Sequence, residues 1–129
     1  MAVPGYEMQY DMVANLFLYR MRGFWTMEII GRFVADLQAA AARIRRVPLH
    51  FDTLCDSTDF PVQSTEVSLA LGKIMAGAIK MRTGRTAIAV GSKLNKMQAE
   101  RTLAHPSVRI FLSMDDARAW LQTPATEQP

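Results

Sequence analysis

Hydrophobic and polar positions change their period several times along the chain, and each change marks an element. Residues Tyr6 to Tyr10 and Leu16 to Arg22 alternate as strands do, separated by the polar segment Asp11 to Asn15, which is short enough for a hairpin-like pairing. In the second strand Phe17, Tyr19 and Met21 share one face. On the other, Leu16 and Leu18 give way to Arg20 and Arg22, so only the start of that strand is expected to be buried on both sides. From Thr26, a capping residue, the period lengthens to that of a helix reaching about Arg46. Its stripe is Ile30, Phe33, Val34, Leu37, Ala40, Ala41 and Ile44, and Pro48 stops it. Arg43, Arg45 and Arg46 sit where a helix dipole favours cations.

Leu49 to Leu54 reads as a short buried strand, and Cys55 to Pro61 as a polar loop. A second helix starts near Ser64, carries Val67, Leu71, Ile74, Ala78 and Met81 on one face, and has Gly84 placed to end it. Gly72 and Gly77 keep it slim; glycine inside a helix costs up to ~1 kcal/mol relative to alanine, so a packing gain at both is expected. Thr86 to Val90 is a continuous apolar run ending in Gly91-Ser92, with a helix from Lys93 to Ala104 directly after it. His105-Pro106 breaks that helix, Val108 to Leu112 gives another strand, and Ser113 with Asp116 resembles a capping box for a last helix holding Ala117, Trp120 and Leu121. The polar stretch Thr123 to Pro129 reads as a disordered tail.

The order is β-β-α-β-α-β-α-β-α in a single α/β domain over residues 1–122. Helical crossovers between strands predict a mixed, mainly parallel sheet of four to five strands with about four helices, the first strand antiparallel. The chain of 129 residues, 50% hydrophobic and 21% charged, can bury a core without disulfides. One cysteine, Cys55, and an N-terminus without a basic leader or apolar core point to a reducing, cytoplasmic compartment. Charge breaks the apolar stretches before the roughly 20 residues of a membrane span are reached. The net charge is +3, but Lys73 to Arg109 holds eight basic residues against one acid. That excess could draw an anionic partner; solvated helix faces explain it as well, and without a recognition motif or aromatic platform nucleic acid is not expected.

In an open α/β sheet, ligands gather outside the carboxyl ends of the strands, beside helix N-termini. Three loops qualify: Gly23-Phe24-Trp25-Thr26, Cys55 to Thr65, and Gly91-Ser92-Lys93. The second offers Asp56, Ser57, Thr58, Ser64 and Thr65, where a hydroxyl could accept a phosphate or simply cap a helix. Ser92 and Lys93 could hold a phosphate, although both common glycine-rich phosphate motifs lack their remaining residues here. Phe24 and Trp25, with Phe60, could line an apolar pocket mouth, pack in the core or form a dimer seam. His50 and His105 have no evident partner for nucleophilic catalysis. Two histidines and one cysteine make no recognised metal set, and Asp52, Asp56 and Asp59 lack the rest of a calcium loop. No catalytic residue, metal or cofactor is expected.

Several segments together resemble a known family. Arg22-Gly23-Phe24-Trp25-Thr26, the strand Leu49-His50-Phe51-Asp52 with its polar loop, Arg85 to Ser92, and Val108-Arg109-Ile110-Phe111 followed by Ala117-x-x-Trp120-Leu121 look like the STAS-type domain, in particular its SpoIIAA-like branch related to anti-sigma factor antagonists. The likeness spans about residues 5–122. It implies a non-enzymatic regulatory or protein-interaction module working through the loop and helix after the third strand. In the antagonists a serine at the start of that helix is phosphorylated; here the Asp-Ser-Ser-Gly type sequence is replaced by Asp56-Ser57-Thr58-Asp59-Phe60-Pro61, with Ser64 and Thr65 nearer the helix. A broader likeness to Sec14-type lipid-binding domains implies, as the alternative, a small hydrophobic or anionic, lipid-like ligand at the carboxyl ends of the strands. The expected partner is a protein, with a homodimer through slim helix two and exposed aromatics among the options.

Overall fold

The polar segment after Tyr10 turns the chain sharply enough to lay its first two strands side by side. The Asp11 carboxylate accepts the Val13 and Ala14 backbone N–H groups at 3.0 and 3.1 Å, and Asn15 takes a left-handed φ of 52°. Strand β1 (Gly5–Asp11) thereby pairs antiparallel with β2 (Leu16–Arg22) over its whole length. The computed structural model describes residues 3–44, 50–81 and 84–124. From β2 onward strands and helices alternate: α1 (Met27–Ile44), β3 (Asp52–Asp59), α2 (Thr65–Met81), β4 (Thr86–Val90), α3 (Lys93–Thr102), β5 (Val108–Phe111) and α4 (Met114–Gln122).

The five strands lie in the order β1-β2-β3-β4-β5, with β2 to β5 parallel. Strands that neighbour each other in sequence also neighbour in space, so right-handed crossovers bring α1, α2 and α3 to one face. That face holds the larger core, in which Phe17, Tyr19, Trp25, Phe33, Val67, Ile88 and Ile110 are buried and Ala99 and Leu103 of α3 pack on the edge. Among the described residues only α4 covers the other face, where Ala117 and Trp120 close over Leu54, Ala87 and Ala89. Arg85 anchors this helix: its guanidinium donates to the Trp120 and Leu121 carbonyls at 3.1 and 2.7 Å, the cation at a helix C-terminus that the dipole favours.

Several boundaries differ from the sequence expectation. The segment Cys55 to Asp59, read above as a polar loop, is the second half of β3. Being central, β3 is hydrogen-bonded to β2 and β4, and its polar side chains find partners. Asp56 pairs with Arg20 Nε at 3.2 Å and accepts the Thr58 hydroxyl at 2.7 Å, while the Ser57 hydroxyl lies 3.1 Å from the Cys55 sulfur. His50 and Phe51 precede the strand; Arg45, Arg46, Pro48, Leu49 and residues 125–129 of the expected tail lie outside the described residues. Thr123 is the C-cap of α4, its hydroxyl donating to the Trp120 carbonyl at 2.6 Å, and so belongs to the domain.

Helix two also differs in detail. Its buried residues are Val67, Met75 and Ile79, and Met81 faces solvent. Gly72 does have a packing reason, since a Cβ there would stand 3.1 Å from the Thr102 methyl of α3, but Gly77 faces open space. The caps at Thr26, Ser64 and Ser113 match expectation, and Ser92, read from sequence as a phosphate-binding candidate, caps α3. Thr26, Ser64, Ser92 and Ser113 each accept a backbone N–H three residues on, at 3.3, 3.2, 3.1 and 3.1 Å.

Candidate functional site

Because β2, β3 and β4 are parallel, the loops that follow them emerge at one edge of the sheet, and hydrogen bonds tie these loops to one another. Gly23, at φ 76°, turns the chain out of β2 and donates to the Asp59 carbonyl at 3.0 Å. The Gln63 side chain is the main link: its oxygen accepts the Trp25 N–H at 2.6 Å and its amide donates to the Gly23 and Pro61 carbonyls at 3.0 and 2.7 Å. Asn95, in the first turn of α3, donates to the Phe60 carbonyl at 3.3 Å. Neither amide was singled out by its sequence context, because each reaches a loop other than its own. Gly91 completes the arrangement by close approach, since a Cβ there would come within 2.4 Å of the Thr58 carbonyl oxygen.

The expected site residues separate into three groups. Trp25 is core, not pocket mouth: it is 1% exposed, its ring meets Tyr6, Phe33 and Phe60 edge-on, and its indole N–H donates to the Arg22 carbonyl at 3.0 Å. Phe24, its neighbour, points away and is 55% exposed, so the two aromatics line no common pocket. Phe60 is half-buried against Trp25. Asp56 and Ser57 are buried within β3, leaving Thr58, Ser64 and Thr65 as the hydroxyls with access to solvent, Ser64 engaged as the α2 cap. Ser92 is the α3 cap and Lys93 beside it is exposed.

These loops and the helix starts beside them carry exposed apolar side chains along the carboxyl-end rim of the sheet. Phe24, Met27 in the first turn of α1, Val62 before α2, and Leu94 and Met97 on one face of α3 are all exposed. Large apolar side chains gathered at a loop edge mark an interaction surface more often than scattered ones do.

A second feature lies elsewhere. A cleft of about 620 Å³ runs between β1 and the second half of α1, lined by Tyr6, Met8, Tyr10, Phe17, Asp36, Ala40, Arg43 and Ile44 among others. At one end the Tyr6 hydroxyl donates to Asp36 Oδ2 at 2.5 Å. Partial burial, then this bond and the Asp36 charge, push the Tyr6 phenol from its usual 10 up to about 12, against the opposing pull of Arg32. A raised folded-state pKa means that the protonated phenol favours the fold. Its contribution is therefore full below pH 10 and is lost as pH rises through 12. Spectrophotometric titration should show a phenol ionising near pH 12 that is absent from Tyr6→Phe; a variant curve that matches wild type in that range would contradict it.

Other chemistry is sparse. His105 Nδ1 lies 2.7 Å from the Ser107 hydroxyl, but it also accepts the Ser107 backbone N–H at 3.1 Å, which makes the pair a local turn. Among the described residues no three of His, Cys, Asp or Glu converge, and no helix is long and apolar enough to cross a membrane.

No protein-family model matches the chain, and no curated protein is similar to it. The structure is similar to the crystal structure of an uncharacterized protein of the DUF3478 family with a SpoIIAA-like fold, from Shewanella loihica PV-4. The two superpose with a TM-score of 0.71, covering 94% of this chain and 97% of that one. The chain has a SpoIIAA-like fold. At 20% sequence identity the relation is one of fold. Within the SpoIIAA-like fold the loop and helix after the third strand are here Phe60 to Ser64 and α2, shorter than expected because β3 takes up Cys55 to Asp59.

Proposed function

We propose that this SpoIIAA-like chain is a non-catalytic module that binds a protein partner through its carboxyl-end rim. The observation that carries the reading is the exposure of Phe24, Met27, Val62, Leu94 and Met97 on three loops and helix starts held together by Gln63 and Asn95. Apolar and aromatic anchors at the centre of a surface, set on rigid supports, are what protein interfaces use. Thr58, Thr65 and Lys93 are exposed beside them and would supply a polar surround, with Thr65 as the hydroxyl best placed for a modification that switches binding.

A photo-crosslinking amino acid in place of Phe24 or Leu94 tests this in the cells the protein comes from, with the exposed helix position Gln38 as control. A discrete adduct with one protein from both rim positions, and not from Gln38, is the expected result. An adduct of twice the chain mass would make the partner a second copy. No adduct, or the same set of adducts from all three positions, overturns the proposal.

A further inference from the structure

The rim leaves the β1–α1 cleft unused. Its volume of about 620 Å³ falls within the range of small-molecule sites. It exists because α1 changes character halfway along. Its first half fills the core with Ile29, Ile30 and Phe33, whereas in the second half the small side chain of Ala40 is what lines the cleft with Met8 and Tyr10. Phe17, Met8, Ala40 and Ile44 give the cleft an apolar floor.

Its polar groups are unequal. Asp36 is engaged by the Tyr6 hydroxyl, and Glu7 on the neighbouring strand position is paired with Arg22 at 2.7 Å. Arg43 has no carboxylate partner among the described residues; its only bond there is from Nε to the Ala39 carbonyl at 3.5 Å, in its own helix. Seven residues along α1 separate Asp36 from Arg43, about 10 Å at the helical rise. The cleft thus offers an unpaired cation at one end, an apolar run, and an anion at the other end that repels a second negative charge.

We infer that the β1–α1 cleft binds a medium-length amphiphilic monocarboxylate, with its carboxylate on Arg43 and its apolar body over Phe17, Met8, Ala40 and Ile44. The Asp36 charge bounds the apolar run, which sets the preferred length near that of decanoate. This site is independent of the rim and stands or falls separately.

Calorimetric titration of the intact chain with decanoate, and with decanol as the uncharged counterpart, tests it. Decanoate is expected to bind about ten-fold more tightly than decanol, the worth of one charge-assisted contact. Arg43→Gln should abolish that preference while leaving decanol binding in place. Ala40→Phe, which fills the cleft, should weaken both ligands at least about ten-fold with an unchanged circular dichroism spectrum; Ala40→Leu serves the same purpose if the larger variant fails to fold. The proposal is overturned if wild type shows no saturable decanoate binding below its micelle-forming concentration. It is equally overturned if Arg43→Gln keeps the preference or if the filled variant binds as wild type does.

Discussion

Replacing Trp25 by alanine is expected to lower the free energy of unfolding by about 3–5 kcal/mol, the cost of deleting a large buried aromatic. Trp25 joins more of the structure than any neighbour in sequence suggests. Its ring lies between Tyr6 of β1, Phe33 of α1 and Phe60 of the β3–α2 loop, at centroid distances of 5.8, 5.1 and 5.1 Å. Its indole N–H satisfies the Arg22 carbonyl, and its backbone N–H is the one that Gln63 accepts. Removing it opens a cavity where three elements meet and loosens the loop that carries Phe24. Trp25→Phe should cost much less, because it keeps most of the ring contact and gives up only the indole N–H, shared between the Arg22 and Gly5 carbonyls and worth about 1 kcal/mol. Urea denaturation of the two variants checks both values. A loss below about 1 kcal/mol for Trp25→Ala would mean that the site collapses around the gap and that Trp25 does not hold the three elements together.

The second large effect is expected at Gly84. A Cβ at this position would stand 1.8 Å from the Phe51 carbonyl oxygen and 2.4 Å from its carbon. Both are backbone atoms immediately before β3, so neither can swing aside as a side-chain tip would. Overpacking a core with an extra methyl group costs about 1–3 kcal/mol when side chains can adjust; Gly84→Ala should reach or exceed the upper end of that range. Reduced soluble yield and a lower denaturation midpoint are the readouts. A variant as stable as wild type would show that the Phe51 segment yields. The expectation from sequence was that Gly84 ends α2, but crowding against a distant backbone gives the glycine its own reason to be there.

Legibility followed the range of the interactions. Strands β2 and β4 were read with their bounds intact, since alternation and an unbroken apolar run are properties of the segment itself. The caps at Thr26, Ser64 and Ser113 were equally plain, because a cap acts on an N–H three residues away. The polar half of β3 was misread for the opposite reason. Cys-Asp-Ser-Thr-Asp has a loop's composition, and what makes it strand is hydrogen bonding to β2 and β4 together with Arg20, 36 residues earlier in the chain, beside Asp56. Nothing local encodes that register.

The candidate sites divide in the same way. That three loops at one sheet edge would follow β2, β3 and β4 came from element order alone, as did the identity of Phe24, Ser64, Thr65, Ser92 and Lys93 as residues of those loops and helix starts. Whether Phe24 or Trp25 faces inward was not legible, because adjacent residues leaving a strand differ only in the side toward which the turn at Gly23 directs them. Gln63 and Asn95 bond across loops, 38 and 35 residues from partners there, and the cleft depends on Ala40 of α1 lying opposite β1. Period, propensity and capping therefore specified the elements of this protein, their order and their mainly parallel pairing. Their contacts act within a few residues. The burial of Trp25, the strand identity of Cys55 to Asp59, the joined rim and the cleft were set by packing, which brings together groups whose separation along the chain carries no pattern of its own.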